Sequence, residues 1–155
     1  CSWNTMRARH CNWVRLRDRK SGAEFRVLDI HLDHKSDDAR REQMKMIVGE
    51  CAQYADGFPQ IICGDFNSGI ENAPVACLRD AGWQEAYEAV HGPGEAGFTY
   101  HGFKGPDYRK KNARRIDFIF VRGNLQPVAA EILRDKVDGL YPSDHYFLMS
   151  DFIIQ

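Results

Sequence analysis

At 155 residues the chain has the length of one domain, enough to bury a substantial core. Its 43% apolar and 28% charged residues are ordinary for a globular protein, and no apolar run approaches the ~20 residues of a membrane-spanning helix. A formal net charge of −1 excludes a global field that draws the molecule to nucleic acid or anionic lipid, so attraction to a polyanion has to be local or metal-borne.

The five cysteines, at positions 1, 11, 51, 63 and 77, form no CxxC pair and no zinc-ligand spacing. Cys51 falls on a helical apolar face and Cys63 inside a strand, where a free thiol behaves as a small hydrophobe. Free cysteines lean toward a reducing compartment such as the cytoplasm. The chain opens on Cys1 with no initiator Met or leader pattern, so a piece of a longer protein is expected and localisation is unread.

In chain order, "NWVRLRDRKSGAEFRVLDIHLDH" predicts a β-hairpin. Trp13, Val14 and Leu16 precede a polar connection, and a period-2 strand follows with Leu28, Ile30 and Leu32 on one face. Val27, Asp29 and His31 share the other face. Ser36 then reads as the N-cap of a helix, with Asp37 and Asp38 in its first turn and Met44, Ile47, Val48 and Cys51 as its apolar stripe. One turn back along that stripe lies Arg40, which either snorkels to solvent or pairs with Asp33, the latter being favoured.

"QIIC" (60–63) predicts a buried strand that stops at Gly64, and short helices are expected over 73–81 and 83–90. "FTYHGFKGPDYRKKNA" reads as a long surface loop of the kind that often carries function. Strands are expected over 115–121, 125–134 and 146–154. The order predicts a mixed α/β layered domain, with its continuous apolar strands covered on both faces.

Polar groups interrupt these strands at four places: His31; Asp65 with Asn67 in "IICGDFN"; Asp117 in "RIDFIFV"; and Asp144 with His145 in "YPSDHYFL". Each has a structural explanation alone. Asp and Asn favour turns, His31 is readable as a satisfied core histidine, "SDH" as a capped turn, and Asp117 as the partner of Arg114 or Arg115. Together they carry a chemical logic, because sites in layered α/β proteins collect at strand ends. Carboxylates suit Mg²⁺ or Mn²⁺. Asn donates to a phosphate oxygen without adding charge, and a histidine beside an acid moves protons near neutrality. Phosphoester hydrolysis uses all of these.

Four ordered pieces, "DIHLDH" (29–34), "GDFN" (64–67), "RIDFIFV" (115–121) and "SDH" (143–145), resemble the endonuclease/exonuclease/phosphatase superfamily. "SWNTMRARHCNW", "AR" at Ala39–Arg40 and "FTYHGF" agree more loosely. The resemblance implies an α/β fold, a layered β-sandwich flanked by helices of the deoxyribonuclease I-like type. It spans residues 1–155 as a single domain, the C-terminal portion without the N-terminal strands.

It also implies a divalent-metal-dependent phosphoester hydrolase. His31 would contact the scissile phosphate, Asp65 would position or activate water, and Asn67 would hold a phosphoryl oxygen. Asp117 would orient His145, which would bind phosphate or shuttle the proton. Asp144 and Asp65 would hold Mg²⁺ or Mn²⁺, with Arg40, Tyr100 and Arg114 on the substrate. Two departures stand out: Asp29 replaces an Asn usual in "NTHL", and the opening Asn strand and "QE" motif that supplies a metal carboxylate are absent, "WQEAY" holding those letters elsewhere.

The resemblance implies a phosphate-ester substrate, either nucleic acid or a phosphorylated small molecule or lipid. "RKKNARR" (109–115) is either a solvated loop or a clamp for that phosphate. A binding module of the same fold lacking catalysis is the second reading, and a zinc site of His31, His34, His145 and a cysteine the third.

Overall fold

The structure is a computed structural model that describes every residue except 1, 2, 4, 6, 95, 96, 109, 110 and 112. Strands β1 (Cys11–Arg17) and β2 (Glu24–His31) form the expected antiparallel hairpin. Asp18 shapes its turn by accepting the Ser21 amide at 2.8 Å. Helix α1 (Asp37–Cys51) begins where Ser36 Oγ accepts the Ala39 amide at 3.1 Å, with Asp37 and Asp38 against the positive helix end. It returns the chain to β3 (Gln60–Asp65), which lies parallel to β2.

After α2 (Ala73–Asp80) come a two-residue strand β4 (Gln84–Glu85) and helix α3 (Ala86–His91). A turn of 3-10 helix (Gly105–Asp107) lies in the long loop before β5 (Asp117–Arg122). The five strands form one sheet in the order β1-β2-β3-β5-β4, while β6 (Leu125–Leu133) and β7 (Phe147–Ile154) pair as a second, separate sheet. Among the described residues no helix is long and apolar enough to cross a membrane.

The core lies between one face of the large sheet and helices α1 and α2. Leu28, Ile30, Ile62, Phe118 and Phe120 meet Met44, Ile47, Cys51, Val75 and Leu78 there. Phe66, just past β3, packs edge-on against Phe118 with ring centroids 5.2 Å apart. The alternation that buries Leu28 and Ile30 turns Asp29 and His31 to the opposite face, where both are exposed.

The expected cover on both sheet faces is corrected here. All seven residues of β1 are exposed, because it is an edge strand whose Arg15 and Arg17 pair with Glu24 in water. No residue of β7 is fully buried. The strand expected to end at Cys63 runs on to Asp65, and that expected at Arg115 begins at Asp117. The 83–90 helix starts only at Ala86, since Gln84 and Glu85 pair with β5.

Gly64 is fixed by the sheet itself. Its φ of +132° suits glycine alone, and a Cβ there would collide with the Ile30 carbonyl oxygen of the neighbouring strand. Gly64→Ala is expected to destabilise the fold by about 3 kcal/mol or more, read as a lower urea midpoint; an unchanged midpoint would contradict this close approach.

Candidate active site

Strand register builds the site. His31 closes β2 opposite Asp65, which closes β3, and Asp65 stands opposite Asp117, which opens β5. Three residues from three strands thus form one row across the sheet, on the face away from α1 and α2. His31 Nε2 lies 3.4 Å from Asp65 Oδ2.

The "GDFN" turn then locks Asp65 from behind. The Asn67 amide donates to Asp65 Oδ1 at 2.7 Å, and the Asn67 side-chain Nδ2 donates to the Leu32 carbonyl at 3.0 Å. Asn67 sits at φ +48°, a left-handed conformation that Asn tolerates well. Its amide keeps a second N–H beyond the one given to Leu32.

The fourth member arrives from far along the chain. His145, just before β7, places Nδ1 2.8 Å from Asp117 Oδ2. Asp117 therefore pairs with His145, while Arg115 pairs with Glu85: Nη1 to Oε1 at 2.9 Å and Nη2 to Oε2 at 3.2 Å. Asp65, Asp117 and His145 each offer a ligand atom, all within 4.8 Å of one another, and among the described residues they are the one such group able to hold a metal ion. The zinc reading finds no support, since His31 pairs with Asp65, His34 Nδ1 lies 2.8 Å from Arg9 Nη2, and His145 pairs with Asp117.

The electrostatics follow from burial and crowding. Desolvation, and then the neighbouring Asp117 charge, push the Asp65 carboxyl above its usual range against the pull of the Asn67 amide and the two histidines. The hydrogen bond to Asp117 raises the His145 imidazole, with burial opposing it and the charges of Asp117, Asp65 and Asp144 adding to it.

The remaining predicted residues surround this group. Tyr100 forms an isolated antiparallel bridge with His145, and its ring stands edge-on to the imidazole at 5.1 Å. Arg40 is buried, but its partners differ from expectation. Nη1 donates to the Asp33 main-chain carbonyl at 2.7 Å and Nη2 pairs with the Asp37 carboxylate one turn away. Asp33 meanwhile spends Oδ1 on the Lys35 and Ser36 amides. Burial lowers the Arg40 guanidinium, the Asp33 and Asp65 charges oppose this, and the Arg114 charge reinforces it. Arg114 is exposed, with its side chain laid across Gly69.

Asp144 is half-buried and stands outside the three-residue cluster; its carbonyl accepts the amides of His101 at 2.8 Å and Gly102 at 3.1 Å. Of the basic run, Arg109, Lys110 and Asn112 lie outside the described residues. Arg115 in that run is buried, which divides the run between structure and surface. Sequence reasoning missed Thr99, fully buried beside Asp117, and Glu85. The "QE" of "WQEAY" gives no local sign of this role, since the pairing of Glu85 with Arg115 depends on strand register.

Residues 4–145 match the family model described as "Endonuclease/Exonuclease/phosphatase family". No curated protein matches the chain. Among solved structures, a functionally unknown conserved protein from Enterococcus faecalis is 26% identical over 94% of this chain and 56% of its own, at a TM-score of 0.80. A mannosyl-6-phosphatase from Bacteroides thetaiotaomicron is 23% identical over 97% of this chain and 59% of its own, at 0.84. TDP2 from D. rerio, complexed with a single-strand DNA product, is 18% identical over 92% of this chain and 62% of its own, at 0.70. The chain thus spans less than two thirds of the length of each of these structures.

Proposed function

The chain belongs to the endonuclease/exonuclease/phosphatase family, and from that premise we propose that it hydrolyses phosphoesters with the aid of Mg²⁺ or Mn²⁺. The observation that carries this reading is the Asp117–His145 pair at 2.8 Å, set beside Asp65 at the ends of three strands. A carboxylate behind a histidine fixes the imidazole tautomer and steadies its cationic form, which suits a group that both holds a phosphoryl oxygen and transfers a proton.

In this reading His31, exposed at the row's outer end, donates to a phosphoryl oxygen, and the free N–H of Asn67 donates to another. Asp65 orients the attacking water. His145 presents Nε2 to the reacting group while Nδ1 stays committed to Asp117, and carries the proton. The oxygen atoms of Asp65, with Asp144 nearby, are donors of the kind that suit a hard divalent cation. Such a cation would polarise a phosphoryl oxygen and neutralise the leaving oxygen.

Arg40 lies close enough to feel the Asp65 charge and that of Arg114, so the two arginines bring positive charge to this side of the site. Tyr100, 37% exposed and against His145, is placed to pack on a sugar or base next to the phosphate. Both a sugar phosphate, as the name of the Bacteroides mannosyl-6-phosphatase suggests, and single-stranded DNA, as in the TDP2 complex, fit that description.

The test is hydrolysis of bis-p-nitrophenyl phosphate with added Mg²⁺. The proposal expects turnover that EDTA abolishes and that His145→Ala lowers by about 10²–10⁴-fold. Undiminished turnover in EDTA, or in the alanine variant, would refute it.

A further inference from the structure

Asp117 and His145 come from segments far apart in the chain, and a third segment joins them. Strand β4 pairs with Phe120 and Val121, so among the described residues the outer edge of β5 at Asp117 has no strand neighbour. The Thr99 hydroxyl fills that place. Its Oγ1 accepts the amides of Ile116 at 3.1 Å and Asp117 at 3.3 Å, and the residue is fully buried.

The main chain of the same segment holds the other half of the pair. The Thr99 carbonyl accepts the Tyr146 amide at 2.9 Å, Tyr100 bridges His145, and the His101 and Gly102 amides donate to the Asp144 carbonyl at 2.8 and 3.1 Å. His101 also stacks on Tyr146 with centroids 4.2 Å apart. Residues 99–102 are therefore zipped to 144–146 through the backbone and tied to β5 through one hydroxyl.

We infer that Thr99 is a positioning residue: its hydroxyl sets the distance and angle between the Asp117 carboxylate and the His145 imidazole. Its consequence for turnover rests on the function proposed above, whereas its consequence for geometry does not. Valine at this position keeps the shape but offers a methyl group where two half-buried N–H groups need an acceptor. The start of β5 then has to move to rehydrate them, and Asp117 moves with it. A displacement near 1 Å in a catalytic constellation costs about 10²-fold in rate.

The experiment compares Thr99→Val with Thr99→Ser in the same chain. Thr99→Val is expected to lower kcat by about 10- to 100-fold with little change in KM, well below its melting temperature, and Thr99→Ser to restore it. Independently of activity, the downfield Nδ1 proton resonance of His145 is expected in the wild type and the serine variant and lost in the valine variant. The Ile116 and Asp117 amides of the wild type are expected to exchange slowly with solvent, a measurement that stands even if the valine variant does not fold. Valine with wild-type kcat and an intact resonance, or rapid exchange at both amides, would overturn the inference. A wild-type chain that hydrolyses no phosphoester would overturn the functional reading instead, while the resonance and exchange still decide the role of Thr99.

Discussion

Asp65→Asn is expected to lower turnover by orders of magnitude and, in EDTA, to make the folded chain more stable at neutral pH. The loss of rate, about 10²–10⁴-fold, follows from the central place of Asp65 in the row between His31 and Asp117. The gain in stability follows from its surroundings. Burial and the Asp117 charge raise its folded pKa above the ordinary 3.8.

The sign is as follows. Below about pH 3.8 the carboxyl is neutral in both folded and unfolded chains, so wild type and variant differ least. As pH rises the unfolded chain gives up the proton first, the folded chain binds more protons, and wild-type stability falls. Asparagine, which keeps an oxygen for the Asn67 amide, suffers no such loss. Its advantage therefore grows with pH until the folded carboxyl has also ionised. Urea unfolding at several pH values measures this; a variant less stable than wild type at pH 7 would contradict it. A site that costs stability in this way is a common signature of function.

The second large effect concerns structure. Glu85 and Arg115 form a two-pronged ion pair with side chains only 1% and 3% exposed. Glu85 also caps α3 through the Glu88 amide at 2.8 Å, and the Arg115 guanidinium lies over the Phe118 and Tyr87 rings at 4.7 and 5.1 Å. Removing either partner strands the other charge in the interior.

Glu85→Ala and Arg115→Ala are each expected to cost about 3–5 kcal/mol, read as a lower urea midpoint. The paired replacement by an apolar couple of similar volume is expected to be much milder. Single variants within about 1 kcal/mol of wild type would show the pair to be solvated. Because Arg115 lies two residues before Asp117, the single variants are also expected to lower activity.

How much of this was legible in the sequence depends on the range of the interaction. Helix α1 was readable because Ser36, the two aspartates and the Met44–Ile47–Cys51 stripe are local signals, and the structure gives Asp37–Cys51. The strand boundaries shifted where pairing overrides composition. Asp65, an unlikely strand residue by propensity, is held in β3 by its register with Asp117, while Arg115 and Ile116 fall outside β5.

Asp117 points to the candidate site because a carboxylate on an apolar strand has to find a partner, though only the family resemblance, and not the residue pattern, says which one. His145 is that partner. The direct partner of Arg40 is the Asp33 main-chain carbonyl, because Oδ1 of the Asp33 carboxylate caps the turn before α1 and the carboxylate acts on the guanidinium only through its charge. Thr99 was invisible, because its role lies in accepting two main-chain amides 17 and 18 residues away.

The most direct test of the account is an NMR titration of the histidine ring signals with inorganic phosphate in the presence of Mg²⁺. If a phosphoryl group binds where three strands end, the His31 and His145 signals shift together along one saturable curve, while those of His10 and His91 stay in place. Signals of His31 and His145 that do not respond, or that follow different curves, would contradict a single site.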